Sequence, residues 1–204
     1  MCTGIRFTDG KRNMYFGRNL DWVQLYGGHV VVTPKGHMTP YAFIDDAPAK
    51  HRIVGMATVY EGLPLYFDCG NDAGLAVAGL NFPGYAKYED DAIEGKTNIA
   101  AYEFPLWIAA NFETVDQVEQ KLDDVAIVGK PVSAALGVGM LHWIVGDAER
   151  SIVIEYTESG MHIYHDSVDT LTNQPTFDWH MENLRNYLTA TGDMPSSAKW
   201  DTAI

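Results

Sequence analysis

Punctuation is what most constrains this chain: turn residues cut its first half into short β-rich segments, which can bury their apolar sides only by pairing as antiparallel hairpins. Residues 2–8 alternate small or polar with larger side chains, Asp9-Gly10 is a hairpin signal, and residues 13–20 resume the extended pattern. This predicts a β-hairpin over 2–20 that brings residues near 2 opposite residues 17–18. Further strands are expected at 28–33, 52–60, 64–69 and 75–81, with turns at Glu61-Gly62 and in the Gly-Asn-Asp-Ala-Gly run at 70–74.

The pattern then changes period. Ala101, Phe104, Leu106, Ile108 and Ala109 give an apolar helical face within a block at 97–125, where Pro105 marks either a helix start or a kink. Thr114 and Gln117 form a capping box opening a second helix, with Val115, Val118 and Leu122 on one side. Strands return at 141–145, 151–156 and 161–166 as an antiparallel meander, and a last helix is expected at 178–188 with Met181, Leu184 and Leu188 aligned. Strands, helices, strands and helix in that order predict a single α+β domain with segregated layers, not a doubly wound one.

With 204 residues, 47% of them hydrophobic, such a domain can bury a core; a chain of this size hides roughly 70% of the surface it exposes when unfolded. The 27 acidic against 14 basic side chains give a net charge of −13. That charge argues against nucleic acid and anionic lipid as partners, since both are bound through clustered Lys and Arg. An anionic small molecule needs a local positive group set against the overall field. Arg6, Asp9, Lys11, Arg12, Arg18 and Asp21 leave no apolar signal-peptide core near the start. The longest stretch free of Asp, Glu, Lys and Arg, 131–146, falls short of the roughly 20 apolar residues of a membrane span. A cytoplasmic location is expected, with Cys2 and Cys69 as reduced thiols.

Several chemistries lack their motifs. No phosphate-binding loop or Gly-x-Ser-x-Gly elbow occurs, and Gly137-x-Gly139 lacks the third glycine of a dinucleotide loop. His162 and His165 lie three apart in an expected strand and so point to opposite faces, which argues against a shared metal. Cys2 is different. Removal of Met1 makes it the amino terminus, with a thiol nucleophile and an α-amino base in one residue. By itself a Met-Cys start reads equally as an incidental small residue in an edge strand. Arg18, returned by the hairpin, can reach the thiol and favour the thiolate, and Asp21 can hold the free amine; alone, the two read as a surface ion pair.

At these residues the sequence resembles the choloylglycine hydrolase family, the bile salt hydrolases and penicillin V acylases, which are amino-terminal nucleophile hydrolases. Met-Cys-Thr-Gly-Ile-Arg-Phe at 1–7, Tyr-Phe-Gly-Arg-Asn-Leu-Asp-Trp at 15–22, Gly-Leu-Asn-Phe-Pro-Gly-Tyr at 79–85 and Leu-Thr-Asn-Gln-Pro-Thr-Phe at 171–177 carry the likeness, which is greatest to the bile salt hydrolases of gut bacteria. The resemblance implies a four-layer αββα sandwich. It implies Cys2 as nucleophile with its amine as base, tuned by Arg18 and Asp21. Asn81, through its backbone, and Asn173, through its side-chain amide, are then oxyanion donors, although each also reads as a turn residue. The implied reaction cleaves glycine- or taurine-conjugated bile salts, with penicillin V as the alternative substrate, and needs no metal or organic cofactor. Leu20, Trp22 and Tyr26 are candidates for an apolar wall against the steroid, Trp22 reading also as core. A homo-oligomer, often a tetramer, is implied too. The family carries a further carboxy-terminal stretch with more strands and another arginine, so this chain is expected to be a truncated form, incomplete at its carboxy terminus, whose activity is in doubt.

Overall fold

The structure is a computed structural model that describes residues 1–21 and 27–192. Its strands are, in chain order, β1 (Thr3–Thr8), β2 (Met14–Asn19), β3 (His29–Thr33), β4 (Met38–Thr39), β5 (Ala47–Pro48), β6 (Ile53–Tyr60) and β7 (Leu63–Asn71). Then come β8 (Ala76–Asn81), β9 (Thr97–Ala100), β10 (Val125–Val128), β11 (Leu141–Gly146), β12 (Ser151–Thr157), β13 (Gly160–His165) and β14 (Thr170–Leu171). The helices are α1 (Phe104–Asn111), α2 (Val115–Leu122) and α3 (Phe177–Leu184).

A seven-stranded antiparallel sheet runs β13-β12-β11-β8-β7-β6-β3, and a three-stranded sheet, β14-β1-β2, faces it. Between them lies a buried cluster of Cys2, Ala78, Leu80, Ile144, Val153, Leu171 and Phe177. The opposite face of the large sheet packs Val77, Trp143, Val145, Ile152 and Ile154 against α1 and α2. Helices, large sheet and small sheet are thus successive layers of the αββα sandwich. The outward face of the small sheet, on the fourth-layer side, leaves Ile5, Phe7 and Tyr15 exposed.

The first hairpin forms, but its loop is longer than a tight Asp9-Gly10 turn. The Asp9 carboxylate accepts from the N–H groups of Lys11 and Asn13, and Arg12 adopts a left-handed φ of 66°. The register moves accordingly, so that Arg18 faces Gly4 and Asn19 faces Thr3, whereas the tight turn puts residues 17–18 opposite residue 2. A Cβ at Gly4 would lie 2.8 Å from Ile144 Cγ2, so the absent side chain lets β1 approach the large sheet closely. Arg6, also buried, ties β1 to the loops beyond it. Its Nε donates to the Asp147 carbonyl, Nη2 to the Ala148 carbonyl and Nη1 to the Asp169 carboxylate.

The helical block divides differently from its apolar pattern. Residues 97–100 are strand β9, paired in parallel with β10. A strand of four residues, Thr-Asn-Ile-Ala, is too short to show an alternation of its own, and its pairing partner lies beyond both helices. Pro105 sits in the first turn of α1 and marks its start, and α1 is buried all round from Phe104 to Ala110. The expected cap of α2 is present, with the Gln117 N–H donating to Thr114 Oγ1, while Gln117 Oε1 reaches one residue further back and accepts from the Glu113 N–H. At the end of the chain the helix is shorter than expected. After α3 comes a 3-10 turn at Arg185–Tyr187, and Leu184 and Leu188 are exposed; the segment leaves the inter-sheet core after Met181.

Candidate active site

Cys2 precedes β1 on the face that alternation directs into the gap between the sheets, and it is 2% exposed. Arg18, on β2, points into the same gap. Its Nη2 lies 3.5 Å from Cys2 Sγ, and Nη1 of the same guanidinium lies 3.7 Å from the Asp68 carboxylate. Asp68 is on β7 opposite Ala78, whose side chain belongs to the inter-sheet cluster. Burial pushes the Asp68 carboxyl above the usual range and the neighbouring Arg18 opposes that rise. The two are mutual counter-ions beside the Cys2 thiol. Nothing in the sequence marked Asp68 apart from any solvated strand carboxylate; only the sheet register turns it inward.

Asn173 follows β14 and is nearly buried. Its Oδ1 accepts from the Cys2 backbone N–H at 2.6 Å, and its Nδ2 donates to the Asn81 carbonyl at 2.7 Å. The two asparagines named from the sequence therefore touch each other, and Asn173 reaches Cys2. An amide nitrogen carries two hydrogens, so the bond to Asn81 leaves a second donor. Asp21 stands apart. Its exposed carboxylate accepts from the Met1 ammonium at 2.7 Å, so with Met1 present it holds that amine and not the nitrogen of Cys2. Leu20 is half-exposed beside it, while Trp22 and Tyr26 lie outside the described residues.

Cys2 and Cys69 are both free thiols. Cys69 lies on the helix side of the large sheet, where burial raises its pKa well above the ordinary thiol value. His162 and His165 turn to different neighbours, Ser159 Oγ at 2.8 Å and the Glu119 carboxylate at 3.1 Å. Among the described residues no three His, Cys, Asp or Glu side chains come together as metal ligands. A thiol, an adjacent cation and a side-chain amide held on the nitrogen of the same residue are suited to acyl transfer, in which sulfur attacks a carbonyl and negative charge develops on its oxygen.

Two facing antiparallel sheets with a buried thiol between them and helices backing the larger one are the architecture of the amino-terminal nucleophile hydrolases. A family model, the linear amide C–N hydrolases of the choloylglycine hydrolase family, matches residues 2–203, and the chain belongs to that family. The bile salt hydrolase/transferase of Bifidobacterium longum is 50% identical over 204 residues, covering 100% of this chain and 64% of its own length. The crystal structure of the C2A mutant of conjugated bile acid hydrolase from Clostridium perfringens superposes with a TM-score of 0.91 at 34% identity, over 99% of this chain and 62% of that one. Penicillin V acylase from Agrobacterium tumefaciens shares the fold, with a TM-score of 0.78 at 21% identity over 98% of this chain and 61% of that one. The chain thus spans a little under two thirds of the length of the relatives it matches.

Proposed function

We propose that these residues form one amidohydrolase unit of a protein that cleaves the amide C–N bond of glycine- or taurine-conjugated bile salts, with Cys2 as nucleophile. Loss of Met1 converts the Cys2 nitrogen to a primary amine, which takes the thiol proton. The thiolate attacks the amide carbonyl, forming a C–S bond while the C=O electrons move to oxygen. The backbone N–H of Asn81 and the free side-chain N–H of Asn173 donate to that oxyanion. Collapse breaks the C–N bond, the ammonium protonates the departing glycine or taurine nitrogen, and a thioester remains. Water then attacks the thioester, the amine takes its proton, and the bile acid and the thiol are released. Arg18 stabilises the thiolate and supplies local positive charge against the acidic surface, Asp21 holds the amine, and Leu20, Trp22 and Tyr26 are assigned to steroid binding on their apolar side chains.

The observation that carries this reading is the convergence of Arg18 and Asn173 on Cys2 from elements far apart in the chain. The names of the relatives supply the substrate class. Parallel assays on glycine-conjugated, taurine-conjugated and phenoxyacetyl amides test it, with preference expected for the first two. A clear preference for the phenoxyacetyl amide would replace bile salts by penicillin V. The assays are run on the 204-residue chain beside one extended at its carboxy terminus to the length of the relatives, since activity is expected to need the longer chain. Intact mass should show Met1 removed, and a retained Met1 in an active sample would sink the mechanism. The same reading places the protein in the cytoplasm of a gut bacterium as a homo-oligomer, a tetramer, which light scattering of the purified protein checks. No helix among the described residues is long and apolar enough to cross a membrane.

A further inference from the structure

Two fully buried polar side chains lie behind the asparagines and have no part in the chemistry above. His142, on β11, and Glu155, on β12, are both 0% exposed, and Nδ1 of the imidazole lies 3.0 Å from Glu155 Oε1. They sit in the inter-sheet layer among Leu80, Ile144, Val153 and Phe177, where apolar side chains would fill the space without the desolvation that a polar pair incurs. Burial holds the His142 pKa below its ordinary value.

Both partners reach the site. Glu155 Oε1 also accepts from the backbone N–H of Phe177 at 3.0 Å, closing the turn that begins at Asn173. The His142 ring lies flat on Phe82, with centroids 4.1 Å apart and planes at 8°, and Phe82 directly follows Asn81. His180 of α3 completes the clamp by donating from Nε2 to the Asn173 carbonyl at 3.0 Å.

We propose that the His142–Glu155 pair is a positioning device for the oxyanion donors: through Phe177 and Phe82 it fixes the chain on either side of the Asn173–Asn81 contact. The inference rests on Asn173 and Asn81 serving acyl transfer at Cys2. A hydrogen bond to Phe177 sets the direction as well as the spacing of the 173–177 turn, which apolar packing does not. A donor displaced by a fraction of an ångström loses much of its hold on the oxyanion.

Two reactions of Cys2, both followed on the chain extended at its carboxy terminus to the length of the relatives, separate this role from a merely structural one. Alkylation by iodoacetamide, followed on the amino-terminal peptide by mass spectrometry, needs the thiolate and no oxyanion. The burst of p-nitrophenolate from p-nitrophenyl acetate needs both. In E155L the burst rate is expected to fall by about tenfold or more, with alkylation within about twofold of the unsubstituted protein at each pH. E155Q, which keeps an acceptor at Oε1, is expected to restore most of the burst. H142F should show a smaller loss in the same direction, and it carries the test if E155L does not fold. A burst unchanged in both E155L and H142F, or a burst and an alkylation rate that fall together, would overturn the proposal. A normal burst without bile salt hydrolysis in the unsubstituted chain would refute the substrate and leave the positioning test readable. No burst at all would refute both.

Discussion

Arg18 Nη2 lies 3.5 Å from Cys2 Sγ although the two residues are not paired across the hairpin; Arg18 pairs with Gly4. The contact is diagonal. Gly4 has no side chain to stand between them, and the guanidinium spans from the thiol to Asp68 on the facing sheet.

Arg18→Leu removes the cation that, among the described residues, touches the thiol. Iodoacetamide alkylation of Cys2 at pH 7 is expected to slow by about tenfold, since a nearby cation is what favours the reactive thiolate. Folding stability should drop as well, by about 1–3 kcal/mol, because the Asp68 carboxylate is left in the gap without its counter-ion. Denaturant titration reads the second effect independently of the first.

Asn173→Ala breaks the bonds to both Cys2 and Asn81. With the oxyanion role proposed for its amide, hydrolysis by the active form is expected to fall by about 100- to 1000-fold, mostly in kcat, as deleting such a donor usually does. Steady-state kinetics on a glycine conjugate check this. A change confined to KM would reassign Asn173 to substrate binding.

Gly4→Ala tests the close approach of the two sheets. The new methyl meets Ile144 Cγ2, a branched and fully buried group with no room to swing aside. A loss of about 1–3 kcal/mol is expected, typical of overpacking a tight core, seen as a lower denaturant midpoint at unchanged slope.

Asp166 gives the chain a pH dependence far from Cys2. Burial, with a smaller contribution from the neighbouring Asp169, pushes its pKa up to about 6 from an ordinary 3.8. The folded state therefore holds a proton that the unfolded chain has already released, so stability falls as pH rises from about 4 to about 6 and is level above. Asp166→Asn keeps the acceptor for the Val168 N–H and has no charge to bury. It should stabilise the protein at pH 7 by about 1–2 kcal/mol, or several degrees in Tm at about 2–4 °C per kcal/mol for a domain of this size. It should also flatten the slope between pH 4 and 6. An unchanged Tm profile from pH 4 to 7 would show that Asp166 is ionised in the folded state throughout.

The sequence by itself determined the local pieces: the longer strands of the two main sheets, the capped helix α2, and a hairpin that returns Arg18 to the neighbourhood of Cys2. These follow from side-chain alternation, backbone preferences and short loops, all read within a few neighbouring residues. Its resemblance to a family also named Asn81 and Asn173, without showing that they touch. The tertiary structure decided what depends on partners far along the chain. It set strand 97–100 against 125–128, moved the hairpin register through the Asp9 loop, and turned Asp68 toward Arg18. It also closed Asn173 onto Cys2 and Asn81, and buried His142 against Glu155. A strand carboxylate or histidine carries no mark of which face will be covered, because that is fixed only when one sheet packs on another.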